Sequence, residues 1–577
     1  MTRPLTLVVA LLVTLLTVAS CSTVPTSSPT VEIPQGPARE TEAVGIEPLP
    51  PAPGASAEEV VRTFIDASAS TVRRHPVARQ HLAPEAAKTW SDESGVSVIG
   101  TEYAVVARDD EGTVAVTANL IGTVDPRGVF SVAGRGVFTR EFRLEQVDGE
   151  WRITDPPDGL IMLEPDFQRL YDELQAYFLD PTASRVVPDP RYLITGGSQP
   201  TVLVERLLGG PSSALAAGVS NPLNGVQLHR SVVVQDQVAT VELTGLPRDS
   251  PLLGQVCAQL VWTLQQPGGP RVDAVVVVVD GEPVAPEDVP EEQTVEDWAS
   301  FDPDAMPVDG VGHYLQDGAL RTATDGRPSP GPAGAGAYGL TSAAISADPA
   351  TGRLSFLAGV RPEGNGATLL AGPYDGDLAP VLGGSTLSAP TVAGTRAEAW
   401  VVRDGATVVR VPAGAPPQPV TAPTLAGLGR ADVLQLSPDG VRAAVVVDGP
   451  EGRRLYVGTV VRSPEDGSVV LRDLREAAPT LAQVIDVGWR DSSSLMVLAG
   501  DESKDRIVPY SVGVDGWGLT RMTTSGLPSQ PTSLAVAPDR PALVSAANTV
   551  WELNGGTWVT LVRGAEPLPG GAPFYPL

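Results

Sequence analysis

Cysteine and lysine are nearly absent from this chain of 577 residues. It has two cysteines, Cys21 and Cys257, and its lysines are Lys88 and Lys504. Cys21 belongs to an export signal, which leaves Cys257 without a partner for an intramolecular disulfide even in an oxidising compartment. The folded units must therefore be stabilised by their apolar cores.

The sequence also lacks the motifs of common catalytic and metal sites. It contains no GxSxG elbow, HExxH pair, CxxC cluster or phosphate-binding loop. Of its four histidines, His229 and His313 are isolated from each other and from the pair His75 and His81, so a histidine-ligated metal would need a long-range coincidence. The net charge of −28 argues against binding to nucleic acids or a polybasic grip on anionic lipid. We predict no catalytic residue, cofactor or metal.

The first 21 residues have the parts of a bacterial lipoprotein signal. Arg3 precedes an apolar run over residues 5–17, which is too short for the ~20 residues of a membrane span. Val18-Ala19-Ser20-Cys21 follows, so we predict cleavage between Ser20 and Cys21. Cys21 would then carry the lipid, as an N-palmitoyl and S-diacylglycerol cysteine. The alternative is an ordinary secretory signal with an incidental cysteine.

A tether follows the predicted anchor. Residues 21–55 are rich in proline and serine without helical or alternating apolar period, which predicts disorder. Fully extended at ~3.1 Å per residue, this segment reaches about 100 Å. The predicted location is therefore the extracytoplasmic face of the cell membrane.

The apolar pattern of residues 56–163 predicts an α+β unit. Ser56 is a candidate N-cap for a helix whose apolar stripe includes Phe64, and a weaker helix is predicted over 76–90. Strands are predicted over 95–107, 113–123 and 136–146, the last one turning at Asp148-Gly149 into residues 151–153. This order resembles the cone of the nuclear-transport-factor-like superfamily. We predict that His75 and His81 are exposed or capping residues, because neither has a carboxylate at suitable spacing.

Residues 164–284 predict an α/β unit around an amphipathic helix over 252–264 that buries Cys257 as an inert thiol. The five-valine run 275–279 suits a central strand. "LQAYFLDPTASRVVPDPRYL", "VERLLGGPSS" and "CAQLVWTLQQ" followed by "VDAVVVVVDGEPV" resemble the GerMN domain, an α/β module of envelope proteins. This resemblance implies a binding or assembly role and brings no catalytic residues.

Residues 285–310 predict a solvated acidic linker whose Trp298 and Phe301 dock on a neighbouring unit. Asp302 and Asp304 could open a calcium loop, but the twelfth position of that loop is His313 instead of a glutamate, so we reject this interpretation.

Residues 311–577 predict a β-propeller of five or six blades. Five strand-turn-strand repeats begin at residues 344, 387, 434, 486 and 533, which is the period of a four-stranded blade. Ser437-Pro438-Asp439-Gly440 is the clearest of their turns, a type common in TolB-like propellers, and we predict a turn-making role for its aspartate. Residues 312–322 could supply a strand that closes a sixth blade. The GxGxxG match at Gly334 lies in a loop without the strand and helix of a dinucleotide site.

The complete order of lipobox, tether, α+β unit, GerMN-like unit and propeller resembles the LpqB family of actinobacterial lipoproteins, over essentially the full length. The excess of arginine over lysine also suggests a high-GC genome. The resemblance implies a non-enzymatic accessory that binds the extracellular part of a sensor histidine kinase, in the MtrA/MtrB two-component system, and modulates cell-wall homeostasis and division. Two alternatives stay open: a receptor or enzyme for wall glycan or small lipid that uses the propeller channel or cone pocket, and an envelope assembly scaffold.

Overall fold

A computed structural model of the chain describes residues 48–108, 112–501, 505–561 and 569–577. The predicted signal, Ser20, Cys21 and most of the tether lie outside these residues. The described chain forms an α+β unit, an α/β unit and a β-propeller in that order, so the predicted multidomain class is confirmed.

The first unit begins with helix α1, Ala57–Ser68. The Ser56 hydroxyl accepts a hydrogen bond from the Glu59 N–H at 3.2 Å, which caps one of the unpaired groups of the first turn. Phe64 and its apolar neighbours on α1 are buried, so the predicted cap and stripe are confirmed. The single helix predicted over 76–90 is wrong: α2, Pro76–Gln80, and α3, Pro84–Thr89, replace it because Pro84 lacks the N–H that a continuous helix needs.

The sheet of the first unit has the strand order β5-β4-β2-β1-β6, with β3 paired to β2. Asp148 and Gly149 both have positive φ, so the predicted two-residue turn joins β4 to β5. The sequence pattern missed β6, which pairs parallel to β1. The cone shape stays a prediction. The strands are β1 (Val96–Ala107), β2 (Thr113–Val124), β3 (Phe130–Val132), β4 (Val137–Val147), β5 (Glu150–Ile153) and β6 (Leu160–Leu163).

The second unit contains a long hairpin, two helices and a mixed sheet. Helix α4, Glu164–Leu170, comes before the hairpin and packs Phe167 and Leu170 into the core of the first unit. The sheet order is β10-β11-β12-β13, with β9 also paired to β11, and the five valines lie in β12 between two partners as predicted. The elements are β7 (Tyr171–Leu179), β8 (Val186–Ile194), α5 (Gln199–Leu208), β9 (Gln227–Leu228), β10 (Val233–Gln235), β11 (Val238–Thr244), α6 (Leu253–Leu264), β12 (Ala274–Val279) and β13 (Glu282–Pro283).

The predicted solvated linker is wrong for its central part. Trp298 is only 6% exposed and belongs to the core of the second unit, and its indole Nε1 donates to the Gln293 side chain at 3.1 Å. Phe301, in a short 3-10 helix (Ala299–Phe301), packs against Trp298 with ring centroids 5.8 Å apart. The predicted docking of these two aromatics is confirmed, and their apolar burial is the reason that the acidic segment folds down.

The described residues beyond the linker form a propeller of six blades. We name the strands of a blade A to D from the inside outwards. Blades 1 to 5 have four strands each, and they contain the five predicted repeats as their A and B strands. The strands are β16 to β19 (Ser342–Ala347, Leu354–Glu363, Gly366–Pro373, Ala379–Gly384), β20 to β23 (Thr391–Ala393, Arg396–Arg403, Thr407–Pro412, Gln418–Val420), β24 to β27 (Arg430–Leu436, Arg442–Gly449, Gly452–Arg462, Val469–Glu476), β28 to β31 (Ala482–Asp491, Ser494–Gly500, Ile507–Gly513, Thr520–Arg521) and β32 to β35 (Pro531–Ala535, Leu543–Ala546, Thr549–Asn554, Thr557–Thr560).

Blade 6 is assembled from two distant parts of the chain. β14 (His313–Gln316) and β15 (Ala319–Thr322) come from the predicted closing segment, and β36 (Gly571–Phe574) pairs antiparallel with β14. Leu577 then exchanges backbone hydrogen bonds with Ile345 and Ala347 on the A strand of blade 1. The ring is therefore closed by hydrogen bonds on both sides of β36. Two short helices, α7 (Gly331–Gly334) and α8 (Leu425–Leu428), lie between strands.

Candidate functional site

The channel along the propeller axis is the first place where a ligand could bind. The A strands enclose a cavity of about 200 Å³, and two of the residues that line it, Asp432 and Asp486, are carboxylates. Asp486 accepts hydrogen bonds from the Val487 and Leu534 N–H groups at 2.9 and 2.8 Å, and burial raises the pKa of its carboxyl to about 6. Asp432 forms an ion pair with Arg453 at 2.5 Å. Both carboxylates are therefore engaged by the protein itself, and the remaining lining is mostly alanine, valine and proline.

The turns between A and B strands lie at one end of this channel, because the A strands of a propeller run in the same direction. The second unit docks on this end. Arg442 donates to the Pro188 carbonyl at 2.5 Å, and Arg185 donates to the Gly394 carbonyl at 3.3 Å. Asp439 is fully buried there and accepts from the Val441 N–H at 2.9 Å, which confirms its predicted turn-making role. The repeated turns of the propeller thus form the docking surface for the second unit.

Asp304 in the linker connects to the same end of the propeller. Its carboxylate accepts hydrogen bonds from the N–H and the hydroxyl of Ser492, at 2.7 and 2.8 Å, beside the turn of blade 4. Burial, reinforced by the negative charge of Asp491, raises the pKa of Asp304 to about 7. Asp302 accepts from the Asp304 N–H at 2.9 Å, so these two residues close a local turn.

An aromatic cluster joins all three units at one point; we call it the junction cluster. It consists of Phe130 on β3, Phe167 on α4, Tyr192 on β8 and Trp517 between β30 and β31 of the propeller. The Trp517 ring lies 5.0 Å from both phenylalanine rings and 5.8 Å from Tyr192, measured between centroids. These tilted and edge-to-face contacts are the favourable geometries for aromatic pairs. The first and second units are therefore both packed directly against the propeller.

Two carboxylates lie beside the junction cluster. The Tyr192 hydroxyl donates to Asp515 at 2.9 Å. The Glu173 carboxyl on β7 is close enough to be repelled by the negative charge of Asp515. Burial raises the pKa of Glu173 to about 7, and repulsion from Asp515 acts in the same direction. The pKa of Asp515 is raised as well, chiefly by burial. The junction therefore contains one glutamate that titrates near neutral pH and an aspartate whose pKa is raised.

The histidines of the first unit are buried, so the exposed alternative is wrong, but His75 and His81 occupy the N-cap and C-cap positions of α2, as the capping alternative predicted. His75 is 6% exposed, and its Nδ1 lies 2.8 Å from Asp92, which also accepts from Arg79 at 2.6 Å. Asp92 lies 17 residues away in sequence, and the spacing rule did not reach that far. Burial opposes the charge of Asp92, but the His75 hydrogen bond and Arg79 lower its pKa overall. His81 is fully buried and bonds to Val77 O and Thr63 Oγ1.

His313 and Cys257, the other residues considered in the sequence, do not form a common site. His313 bonds to Val311 O and the Tyr374 hydroxyl, and burial lowers its pKa to about 4. Cys257 is fully buried on α6, and burial raises its pKa to about 12, as expected for an inert thiol. Across residues 48–108, 112–501, 505–561 and 569–577, no group of three or more His, Cys, Asp or Glu side chains could hold a metal ion. None of the helices in those ranges is long and apolar enough to cross a bilayer.

Curated relatives decide the family. The lipoprotein LpqB of Rhodococcus opacus (strain B4) is 31% identical over 576 residues, which cover 94% of this chain and 92% of the relative. The chain belongs to the LpqB lipoprotein family. LpqB of Mycolicibacterium smegmatis (strain ATCC 700084 / mc(2)155) is also 31% identical and covers 100% of both chains. Membership of the LpqB family implies a lipid anchor and membrane association, as predicted.

Family models match each part of this LpqB-family chain. Residues 50–168 match "Lipoprotein LpqB, N-terminal domain", and residues 318–576 match "Lipoprotein LpqB beta-propeller domain". Residues 175–285 match "Sporulation and spore germination", which confirms the GerMN resemblance. Among solved structures, TolB from Acinetobacter baumannii is similar over 48% of this chain and 70% of that chain, with 12% identity and a TM-score of 0.32, which is too low to carry an argument.

Proposed function

We propose that this LpqB-family lipoprotein is a non-enzymatic accessory that binds the extracellular part of a two-component sensor kinase and modulates its signalling in cell-wall homeostasis and division. The family relationship suggests the MtrA/MtrB system. The observation that carries a binding role is the direct packing of all three units at the junction cluster. A block of fixed shape presents a composite surface to a partner and loses little conformational entropy when it binds.

The chemistry of the channel supports a binding role over the enzyme alternative. A glycan-cleaving site needs two carboxylates free to act on substrate, about 5 to 9.5 Å apart. Asp432 is neutralised by Arg453, and Asp486 is held by two backbone N–H groups. Asp432 is paired within blade 3, and Asp486 of blade 4 accepts from the Leu534 N–H of blade 5, so both carboxylates are committed to the propeller itself.

Binding to the kinase can be tested with both partners anchored in vesicles. We expect the full-length lipoprotein to crosslink to the kinase's extracellular domain and to change the rate of kinase autophosphorylation. As a matched control, a kinase that lacks its extracellular domain should neither crosslink nor respond. An unchanged autophosphorylation rate together with absent crosslinks would contradict the proposal, whereas crosslinks without any change in rate would favour the envelope scaffold.

Anchoring is proposed to depend on Cys21. We expect Cys21→Ala to abolish acylation, so that the protein leaves the membrane fraction, while the folded units are unaffected because residue 21 precedes them. Cell fractionation with metabolic palmitate labelling measures this. The control is Cys257→Ala, which should retain both the label and the membrane location. Full membrane retention of the Cys21→Ala protein would refute the anchor.

A further inference from the structure

Strand β10 is an exposed apolar edge. It ends one side of the sheet in the second unit, and its residues Val233 and Val234 are 48% and 38% exposed. Neighbouring residues of a strand point to opposite faces, so both faces of this strand are open. Exposed edge strands are templates for pairing with another chain, and native proteins usually protect them with charge, proline or a cover. Residues 231–235 contain neither charge nor proline, and the edge is covered at Val232, where Thr201 of α5 is bound.

The pairing of β10 with β11 determines which backbone groups face outwards. Asp236 and Gln237 both have positive φ and form a two-residue turn, so Gln235 and Val238 are its hydrogen-bonded closing pair. Hydrogen-bonded and non-hydrogen-bonded pairs alternate along an antiparallel ladder, so the N–H and C=O groups of Val234 and Val232 point away from β11. The Val232 N–H confirms this direction, because it donates to Thr201 Oγ1 at 3.0 Å, outside the sheet.

We propose that two copies of this chain pair through β10, as antiparallel neighbours related by a two-fold axis at Val233. In this register Val232 of one copy faces Val234 of the other, and their outward N–H and C=O groups form the ladder. The two Val233 side chains meet at the axis. Such a contact is isologous, so each copy uses the same surface.

Charge complementarity favours a second copy over another occupant. The register that matches the outward backbone groups also brings Arg230 of each copy beside Asp236 of the other, since both lie three residues from Val233. Arg230 already forms an ion pair with Glu242 at 2.6 Å, but its guanidinium is 61% exposed and has further donors. The strand between these charges is uncharged, so the segment is complementary to itself in both charge and apolarity.

Thr201 limits this pairing in the single copy. Its hydroxyl occupies the Val232 N–H that the ladder needs, so each copy must give up this bond when it pairs. We expect Thr201→Ala to increase pairing, because the Val232 N–H is then unpaired until a second strand arrives. Thr201→Ser keeps the hydroxyl and should leave pairing unchanged.

The test is disulfide crosslinking of the full-length acylated protein in vesicles. Directly opposite residues of a non-hydrogen-bonded pair have Cβ atoms about 4.5 Å apart, which a disulfide can span. We expect Val233→Cys to form dimers under mild oxidation. The control is Val308→Cys, a valine that is 79% exposed and lies in the linker, which should form few dimers. Cys257 is fully buried and should not react.

Charge exchange tests the register. In the Val233→Cys background, we expect Arg230→Asp or Asp236→Arg to lower the dimer yield about two- to fivefold, as for an exposed ion pair, and the double exchange to restore it. Each variant's circular dichroism spectrum and melting temperature should match those of the parent, which separates loss of pairing from misfolding. Dimer yields equal to the Val308→Cys control, or crosslinking of Val233→Cys to a different protein, would overturn the proposal.

Discussion

Replacing Trp517 with alanine is expected to lower the free energy of unfolding by roughly 3 kcal/mol, as for other large-to-small aromatic changes in a core. It should also release the first unit from the propeller. The Trp517 ring contacts Phe130 and Phe167 from the first unit's core and Tyr192 from the second unit, so its loss removes contacts to both at once. The neighbouring Tyr192–Asp515 hydrogen bond would become accessible to water.

Calorimetry and limited proteolysis measure this effect. We expect the parent chain to unfold in one main transition and Trp517→Ala to unfold in two, with earlier cleavage between the first unit and the propeller. Trp551→Ala is the matched control, because that indole packs in a cluster of propeller residues from blades 4 and 5 and donates to Ala546 O at 3.2 Å. The control should lose stability without separation of the units. A single transition for Trp517→Ala would contradict the junction cluster as the connection.

Stability is expected to fall as the pH rises from 6.5 to 8, because two buried acids must ionise, Asp304 in the linker and Glu173 beside the junction cluster. The pKa of Asp304 and of Glu173 is raised to about 7, mainly by burial. An acid whose pKa is raised in the folded protein stabilises it below the unfolded pKa, and this contribution is lost as the pH rises through the folded pKa. Each such group contributes about 1.4 kcal/mol per pH unit between the two values. Relative to pH 6.5, we expect the two acids together to cost the folded state roughly 1.5 kcal/mol at pH 8, because the loss flattens above the folded pKa.

The ionisation of these acids must be separated from that of the buried histidines. Burial lowers the pKa of His81 and of His313, so these residues destabilise the folded state as the pH falls below 6.5, which is the opposite direction. Above about pH 7.5 both histidines are neutral in the folded state and almost entirely neutral in the unfolded state, where their pKa is about 6.5. Asp304→Asn and its parent share these histidines, so the histidine contributions cancel when the two proteins are compared between pH 6.5 and 8.

Denaturant unfolding of Asp304→Asn tests this expectation. Asparagine keeps an oxygen that can accept from Ser492 but does not titrate, so the pH dependence between 6.5 and 8 should become flatter. Asp466→Asn is the control, because hydrogen bonds from the Ser468 N–H and from serine hydroxyls lower the pKa of Asp466 to about 2, far outside the window. If the free energy of unfolding had the same pH dependence in the parent and in Asp304→Asn, Asp304 would not titrate in this range.

Local sequence patterns were sufficient to predict much of the fold. The stripe around Phe64, the Asp148-Gly149 turn and the repeated turns around Asp439 are signals within a few residues, and each one formed as predicted. Among the strands that the sequence pattern missed, β6 and β36 are short and pair with partners far away in sequence. A four-residue apolar strand has too little pattern to be separated from a loop.

The junction could not be predicted for a related reason. Trp517 lies in a propeller loop, and nothing near it in sequence indicates that it packs into the core of the first unit. His75 and Asp92 illustrate the same limit, since their contact exists only after α2 and α3 fold against each other. The linker aromatics were the exception, because Trp298 in an acidic segment is conspicuous enough to predict docking.

The closure of blade 6 has a consequence for the biogenesis of the protein. β14 pairs with a strand about 260 residues later, as in the contact between His313 and Phe574. In the proposed export to the extracytoplasmic face, a chain that crosses the membrane from its N-terminus emerges with β14 and the A strand of blade 1 lacking their neighbour until the C-terminal residues 571–577 arrive. Unpaired strands in a partly translocated chain invite aggregation and exchange between molecules. The growing propeller should therefore be most dependent on periplasmic-type chaperones in the interval before its last strand is released.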